Sequence, residues 1–253
     1  MMKILTPDSA ISEQFDIEAI NAQFETAHPR DIVNWAAAEF GDDLVMTSSF
    51  GAESALLLHM ATQIRHDINV IMIDTGYLFP ETHLFMEELR AKLNLNVWSF
   101  RTKNDPIQWL QTVGEHDPTW RDDVDRCCAV NKNEPMERAM NQLKPKAWLR
   151  GIRRKQSSIR EDKGFVEWSK RYKCFAISPI LNWGGRQISD YLRENDLPYH
   201  PLWEKGYLSI GCNPQSCTRS VEAGEDARSG RWSSQEKTEC GLHLDESMDS
   251  ANL

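Results

Sequence analysis

Leu44-Val45-Met46-Thr47-Ser48-Ser49-Phe50-Gly51-Ala52-Glu53-Ser54 decides how this chain is read. Its first four residues have the character of a short buried strand, Ser48 to Ser54 form a loop of mostly small residues, and Ala55 to Ile64 has a helix's composition. Such a strand–loop–helix unit lets backbone N–H groups approach an anion, with the helix dipole adding favourable potential. Outward from it the pattern repeats. Asn69 to Ile73 reads as a second strand that closes on Asp74-Thr75-Gly76, and Pro80 to Leu93 as a helix opened by proline at a suitable first position. Asn96 to Phe100 predicts a third strand, Pro106 to Val113 a helix, Glu134 to Leu143 another, Ala147 to Leu149 a strand and Ile188 to Glu194 a helix. Alternating strands and helices predict an α/β fold, a mainly parallel sheet with helices on both faces. Upstream, Asp8 to Glu39 reads as helical, with Ile17, Ile20 and Phe24, then Ile32, Val33 and Trp35, at helix spacing. From Tyr199 onward regularity fades, and the Gly-, Ser- and acid-rich tail is expected to be flexible. The expected organisation is an N-terminal helical segment (1–40), a nucleotide-binding α/β domain (41–211) and a C-terminal segment (212–253).

Composition narrows the function classes. The chain has 253 residues and a net charge of −9, which argues against general nucleic-acid binding. Neither an apolar signal segment in Met1 to Asp8 nor a run of roughly 18 apolar residues is present, so a cytoplasmic protein without a membrane span is expected. In that compartment thiols stay reduced, which favours metal binding or catalysis over disulfides. Against the acidic background, two basic islands stand out. Lys144, Lys146, Arg150, Arg153, Arg154, Lys155 and Arg160 fall in one stretch with no acid between them, and Arg219, Arg228 and Arg231 form the second. They suit a small anion, and the paired Arg153 and Arg154 suit bidentate contact with phosphate or sulfate oxygens. A solvated charged face is the blander reading of each.

The six cysteines carry the rest. Cys127-Cys128 and the Cys212/Cys217 pair suggest four thiolates on one metal centre, and soft thiolates select iron–sulfur clusters or zinc. Cys174, in an apolar stretch, reads as a buried small hydrophobe. Cys240 is either an idle thiol or a nucleophile, and the second role needs cations nearby. Asp74 and Thr75 end the second strand, where ligands of open α/β sheets bind. The Asp can accept hydrogen bonds from a ribose or an adenine amino group, or simply cap a turn.

Six ordered motifs then resemble one family, the assimilatory sulfonucleotide reductases. Ser48 to Ser54 is similar to the family's modified pyrophosphatase loop. Asp74-Thr75-Gly76-Tyr77-Leu78-Phe79-Pro80-Glu81-Thr82 and Lys132-Asn133-Glu134-Pro135-Met136 resemble two further signatures. Gly151-Ile152-Arg153-Arg154-Lys155-Gln156-Ser157, the Tyr199 to Gly211 region and Glu239-Cys240-Gly241-Leu242-His243 follow in order. The resemblance implies an adenine nucleotide α-hydrolase-like (PP-loop) fold and release of sulfite and AMP from adenylyl sulfate (APS). In it Cys240 is the nucleophile, passing through an S-sulfocysteine that a thioredoxin or glutaredoxin-like reductant resolves. By the same resemblance Ser48, Ser49, Gly51, Ala52, Glu53, Ser54, Asp74, Thr75, Lys132, Gly151, Arg153, Arg154, Arg228 and Arg231 hold the sulfonucleotide. Cys127, Cys128, Cys212 and Cys217 would bind a 4Fe–4S cluster, a set that accompanies APS use in the family. A homo-oligomer is compatible with this reading; nucleic-acid and membrane partners are not expected.

Two features depart from the pattern. Four residues separate Cys212 from Cys217 where the family usually has two, and Arg231-Trp232-Ser233-Ser234 lacks the further Trp common in cluster enzymes. The alternatives are a reductase of the 3′-phosphorylated nucleotide (PAPS), or of both nucleotides, and more remotely a PP-loop tRNA thiolase. The thiolase reading meets Phe50 at the loop's first Gly position and Glu53 at its Asp. A zinc-stapled binding module would leave Cys240 with no role.

Overall fold

The computed structural model describes residues 15–103, 124–213, 217–222, 224–232, 237 and 239–242. The helix expected over 106–113 and the tail beyond 242 lie outside the described residues. Six strands form one sheet: β1 (Leu44–Thr47), β2 (Asn69–Asp74), β3 (Asn96–Arg101), β4 (Ala147–Leu149), β5 (Val166–Ser169) and β6 (Cys174–Ile177). Their spatial order is β3-β2-β1-β4-β6-β5, and all pairs are parallel except the antiparallel β5–β6 hairpin. The chain moves from β1 outward to β3, then crosses back to place β4 on the other side of β1. The register sets Met46 of β1 beside both Val70 and Leu149, so the loops after β1 and β4 diverge at this reversal. That is where an open α/β sheet forms its ligand crevice.

Helices cover both faces. On one, α1 (Ile17–Phe24), α2 (Pro29–Phe40), α3 (Ala55–Thr62), α4 (Pro80–Leu93) and α7 (Gly185–Glu194) contribute Phe24, Ile32, Leu56, Phe85 and Ile188 to one core with Leu44, Val70 and Ile177. On the other, α6 (Glu134–Leu143) packs Met136, Ala139 and Met140 on Val45, Ile71, Trp148 and Ala176. Leading into α6 are α5 (Val124–Cys128) and a π-helical turn, Ala129–Asn133. Residues 15–40 therefore share the core of the α/β unit.

The helical region expected over Asp8 to Glu39 is two helices where it is described. Pro29 can start a helix but cannot continue one. It opens α2, with His28 Nδ1 capping by accepting the Arg30 N–H at 3.2 Å, while Asp16 caps α1 by accepting the Ala19 N–H at 3.1 Å. The β5–β6 hairpin was not legible: β5 (Val166–Ser169) carries Glu and Ser and is mostly half-buried, so no apolar run announces it as one announces β1 and β4. Cys174 begins β6 and is fully buried, and burial pushes its thiol up to about 12. It is the inert core thiol that its apolar surroundings predict.

Candidate active site

The loop after β1 is held open for a ligand. Phe50 is fully buried at φ +48°, a left-handed conformation unusual for a bulky residue, and its N–H donates to Ser48 Oγ at 3.1 Å. Strain of this kind persists where the surroundings over-determine it and concentrates at functional loops. Ser54 begins α3 without capping it, and its buried Oγ has no hydrogen-bond partner. The Ser54 N–H donates to the Gly51 carbonyl at 3.2 Å and the Leu56 N–H to that of Glu53 at 3.3 Å, so it is the Ser54 hydroxyl that is left for an outside acceptor.

Ser48, Ser49, Gly51, Ala52, Glu53 and Ser54 line a cavity of about 500 Å³, together with Thr75, Lys132, Gly151, Arg153, Arg228, Arg231, Cys212 and Cys240. Its walls divide by chemistry. Leu57, Ile152, Ile180 and Ile188 form an apolar wall continuous with the main core. Cys240 and Trp232 belong to a separate cluster with Cys217, against which Cys128 and Cys212 pack. An apolar slot beside a charged, thiol-bearing wall fits a nucleoside carrying an anionic group.

Cys240 is 8% exposed and stands beside Lys132. Burial and the neighbouring Glu239 carboxylate work against the thiolate, but the charge of Lys132, the Leu242 N–H and Arg231 outweigh them, and the thiol is held below its ordinary value. Lys132 owes its place to the π-helical turn, a distortion that recurs at functional sites. Burial disfavours its charge as well, yet the neighbouring Cys240 and Cys212 hold its pKa up. The segment carrying Cys240 is docked, not loose. Gly241 sits at φ +90°, where a side chain would run into Asn133, and its carbonyl accepts from Arg171 Nη1 at 3.2 Å. Glu239 is clamped by Arg160 at 2.6 Å, and Leu242 packs on the α6 core.

Arg231 spans the loop: its Nε donates to the Cys217 carbonyl at 3.0 Å and its Nη1 to that of Ile210 at 3.3 Å, with the guanidinium 4.4 Å from the Trp232 ring centre. Gly211 leaves room for it, since a Cβ there would overlap the guanidinium and displace it. Arg228 lies 3.7 Å from Glu239, and burial lowers it to about 10.

Two of the expected ligand residues lie off this cavity wall. Arg154 does not line the cavity; it turns away to Glu25 at 2.7 Å, Asn182 at 2.6 Å and the Lys163 carbonyl at 3.0 Å. Asp74 is likewise engaged internally, 2.5 Å from Arg101 and accepting the Gly76 N–H at 2.9 Å, so Thr75 alone of that pair faces the cavity. Arg153 does line it, yet is paired with Glu53 at 2.7 Å.

The phosphoadenosine phosphosulfate reductase domain family matches residues 43–219. The chain belongs to that family. Across 90% of its length it is 37% identical to the adenosine 5′-phosphosulfate reductase of Salinibacter ruber, covering 88% of that protein. It is 42% identical to the phosphoadenosine 5′-phosphosulfate reductase of a Synechococcus species, over 89% of this chain and 96% of that one. A crystal structure of phosphoadenylyl-sulfate reductase from Candida auris, a phosphate complex, superposes with a TM-score of 0.69 at 26% identity, covering 79% of this chain and 95% of the other. The fold is thus the PP-loop, adenine nucleotide α-hydrolase-like architecture that the motifs imply.

Within this family member the paired thiols converge. Cys127 feels the charge of Cys128, Cys212 and Cys217, and burial pushes it well above its ordinary value; Cys128 is pushed up to about 12. Asn131 Nδ2 donates to Cys127 Sγ at 3.6 Å, and Thr75 Oγ1 lies 3.4 Å from Cys212 Sγ. Among the described residues no three His, Cys, Asp or Glu side chains are grouped to hold a single ion. The donor set these four cysteines offer is sulfur only, the kind that suits iron–sulfur clusters or zinc.

Sequence reasoning missed Glu239 and Gln156 as members of the cavity wall and had Arg160 only as part of a basic stretch suited to a small anion. The adjacency of Glu239 to Cys240 was the available signal; nothing in the sequence ties it to Arg160 and Ser157, 79 and 82 positions upstream. In the Tyr199-His200 motif, His200 proves structural. Its Nδ1 accepts the Leu202 N–H at 3.1 Å, its Nε2 is 3.0 Å from Thr82 Oγ1, and burial lowers it to about 4. Among the described residues no helix is long and apolar enough to cross a membrane.

Proposed function

We propose that this protein is a sulfonucleotide reductase that forms sulfite and AMP from APS through Cys240. The carrying observation is the placement of the Cys240 thiol beside Lys132 in the cavity bounded by the Ser48–Ser54 loop. The spare Ser54 hydroxyl binds the anion, while the apolar wall takes the base. The Cys240 thiolate attacks the sulfate sulfur, forming an S–S bond. The sulfur–oxygen bond to phosphate breaks, and AMP departs with the electron pair. Lys132, Arg228 and Arg231 offset charge on the leaving oxygen. A thiolate of a thioredoxin-type dithiol then attacks Cys240 Sγ and sulfite leaves. The dithiol's second thiol resolves the mixed disulfide and returns Cys240 as a thiol, so the donor dithiol is oxidised as the sulfur is reduced.

Cys127, Cys128, Cys212 and Cys217 are the proposed ligands of a 4Fe–4S cluster, supported by their convergence and by the sulfur-only donor set. Bound there, the cluster would set local charge beside the anion site. Anaerobic purification with iron and acid-labile sulfide analysis checks it, and stoichiometric zinc without iron refutes it. The preference for APS is supported by that cysteine set and by Glu53, which lines the cavity and occupies Arg153. PAPS is the second reading, favoured by Lys155, a further cation on the cavity wall, and by relatives named for PAPS. Comparing kcat/KM for the two nucleotides separates them: equal values mean dual use, and a tenfold preference for PAPS refutes APS as substrate. Incubation with APS without reductant should add SO₃ to the intact mass of the wild type and not to Cys240→Ser; an adduct in the variant would show that another thiol reacts.

A further inference from the structure

Gln156 is half-buried, lines the cavity and stands on the 3₁₀ turn Arg154–Gln156 that follows β4. The two ends of its amide are used differently. Oε1 is taken twice over: it accepts the Arg153 N–H at 3.1 Å and a guanidinium N–H of Arg160. Those two donors decide which way the amide faces, since a flip would set its NH₂ group against both of them. Nε2 is therefore the end turned away from Arg153 and Arg160, and it has no hydrogen-bond partner among the described residues. An amide held at its oxygen and open at its nitrogen is a preorganised donor facing the cavity.

Arg160 places that donor along the cavity. Besides Gln156 it grips Glu239, its Nε 2.6 Å from Oε1 and its Nη2 donating to Oε2 at 2.8 Å. Two side-chain contacts, Gln156 to Arg160 and Arg160 to Glu239, thus lead from the amide to the residue that precedes Cys240. The base slot, walled by Leu57, Ile180 and Ile188, offers such a donor nothing to bind but carbon. A sulfonucleotide placed for attack by Cys240 presents its sulfonate oxygens at the thiol end. Building on the functional reading above, we infer that Gln156 Nε2 is a substrate-contacting donor that holds a sulfonate oxygen while Cys240 attacks the sulfur. A neutral donor suits this position. As the sulfur–oxygen bond breaks, charge passes from the sulfonate to the leaving phosphate oxygen, so a cation on the sulfonate would favour bound substrate over transition state. The amide orients the group without opposing that shift.

Gln156→Glu and Gln156→Met separate this role from a purely structural one. The first keeps an oxygen for Arg153 and Arg160 and turns the donor into a second acceptor; the second keeps the length and loses both functions without adding charge. Affinities for APS and for AMP, which lacks the sulfonate, are measured by calorimetry in the Cys240→Ser background, where no turnover occurs. In Gln156→Glu the dissociation constant for APS is expected to rise about ten- to a hundredfold, the scale of a lost hydrogen bond to a charged group. That for AMP should rise by a smaller factor, so the APS-to-AMP ratio increases. Gln156→Met should raise the same ratio about tenfold and also melt at a lower temperature, because Arg153 and Arg160 lose their acceptor. Damage to the fold alone would weaken both ligands together. A ratio unchanged in either variant overturns the inference: in Gln156→Met it would leave only charge repulsion in Gln156→Glu, and in Gln156→Glu it would leave only the acceptor role. Should Gln156→Met fail to fold, Gln156→Asn keeps the amide but shortens its reach by one methylene, and an unchanged ratio there overturns the inference equally. An absent SO₃ adduct in the wild type with either sulfonucleotide defeats the functional reading itself, whereas a wild-type adduct with unchanged ratios defeats this inference alone.

Discussion

The two basic stretches look alike in sequence and are used differently. From Lys144 to Arg160, nearly every cation answers a carboxylate of the same chain. Lys146 pairs with Asp43, Arg150 with Glu167, Arg153 with Glu53, Arg154 with Glu25 and Arg160 with Glu239. These pairs tie the loop after β4 to elements on both sides. In the second stretch Arg219 pairs with Glu225 at 3.2 Å and Arg228 lies 3.7 Å from Glu239. Arg231, which meets two carbonyls and the Trp232 ring, has no carboxylate partner among the described residues. A run of positive charge therefore indicates a ligand site only where its counter-charges are missing from the fold, and those counter-charges are distributed across the whole sequence.

The sharpest test of that contrast is Lys132, whose charge is buried beside Cys240 and which, among the described residues, has no carboxylate partner. Lys132→Ala is expected to lower kcat/KM for the sulfonucleotide by at least about 10²–10³-fold, the usual loss when one preorganised charge at a reacting centre is removed. A loss below tenfold would show that Arg228 and Arg231 carry the anion without it. Arg231→Ala comes next. Deleting a charge-assisted contact costs about 1.5–3 kcal/mol, or roughly one to two factors of ten in kcat/KM. Wild-type kinetics in that variant would make the second stretch as structural as the first.

Much of the frame was legible. The bounds of β1 and β4, and of α4 behind Pro80, coincide with the apolar runs and the proline that announce them. What escaped was tertiary. Cys127, Cys128 and Lys132 lie in polar sequence, and nothing local indicates that a helix with a π-turn aims one of them at a nucleophile. Arg153 and Arg154 are neighbours, yet the 3₁₀ turn between β4 and β5 sends one into the cavity and the other to Glu25 on the turn after α1. The tail around Cys240 reads as polar and loose because its anchors, Ser157, Arg160 and Arg171, lie far upstream.

Acid separates the carboxylates that serve the two stretches. Glu25 is held below its ordinary value by hydrogen bonds from Arg154 and Asn182. For Glu239 burial pushes upward, and Arg160, Arg228 and Ser157 outweigh it, again leaving the group low. A carboxyl whose folded pKa is depressed contributes stability above its unfolded pKa of about 4.3, and that contribution is lost as pH falls through the folded value. Melting temperatures between about pH 6 and pH 3 should therefore decline less steeply in Glu239→Gln than in the wild type. Glu25→Gln should barely change the slope, since solvent screens its half-exposed pair. Equal slopes in all three proteins would mean that the buried clamp contributes no more than the surface pair.

The smallest expected effect is the most informative about reading charge from sequence. Arg154 belongs to the motif that promises a phosphate contact, so its loss ought to damage catalysis if the motif acts as a unit. Its side chain instead spans Glu25, Asn182 and the Lys163 carbonyl and lies 5.3 Å from the Phe165 ring centre. In Arg154→Ala, Glu25 and Asn182 keep their own hydrogen bond at 2.8 Å, so no carboxylate is left stranded. The ion pair is partly exposed and contributes no more than about 1 kcal/mol, with some packing of the arginine stem in addition. Stability should fall by that small amount in urea titration, and kcat/KM should stay within about twofold of wild type, as befits a surface substitution remote from the reacting atoms. A tenfold loss of kcat/KM with the fold intact would return Arg154 to the ligand site and erase the division between the two arginines.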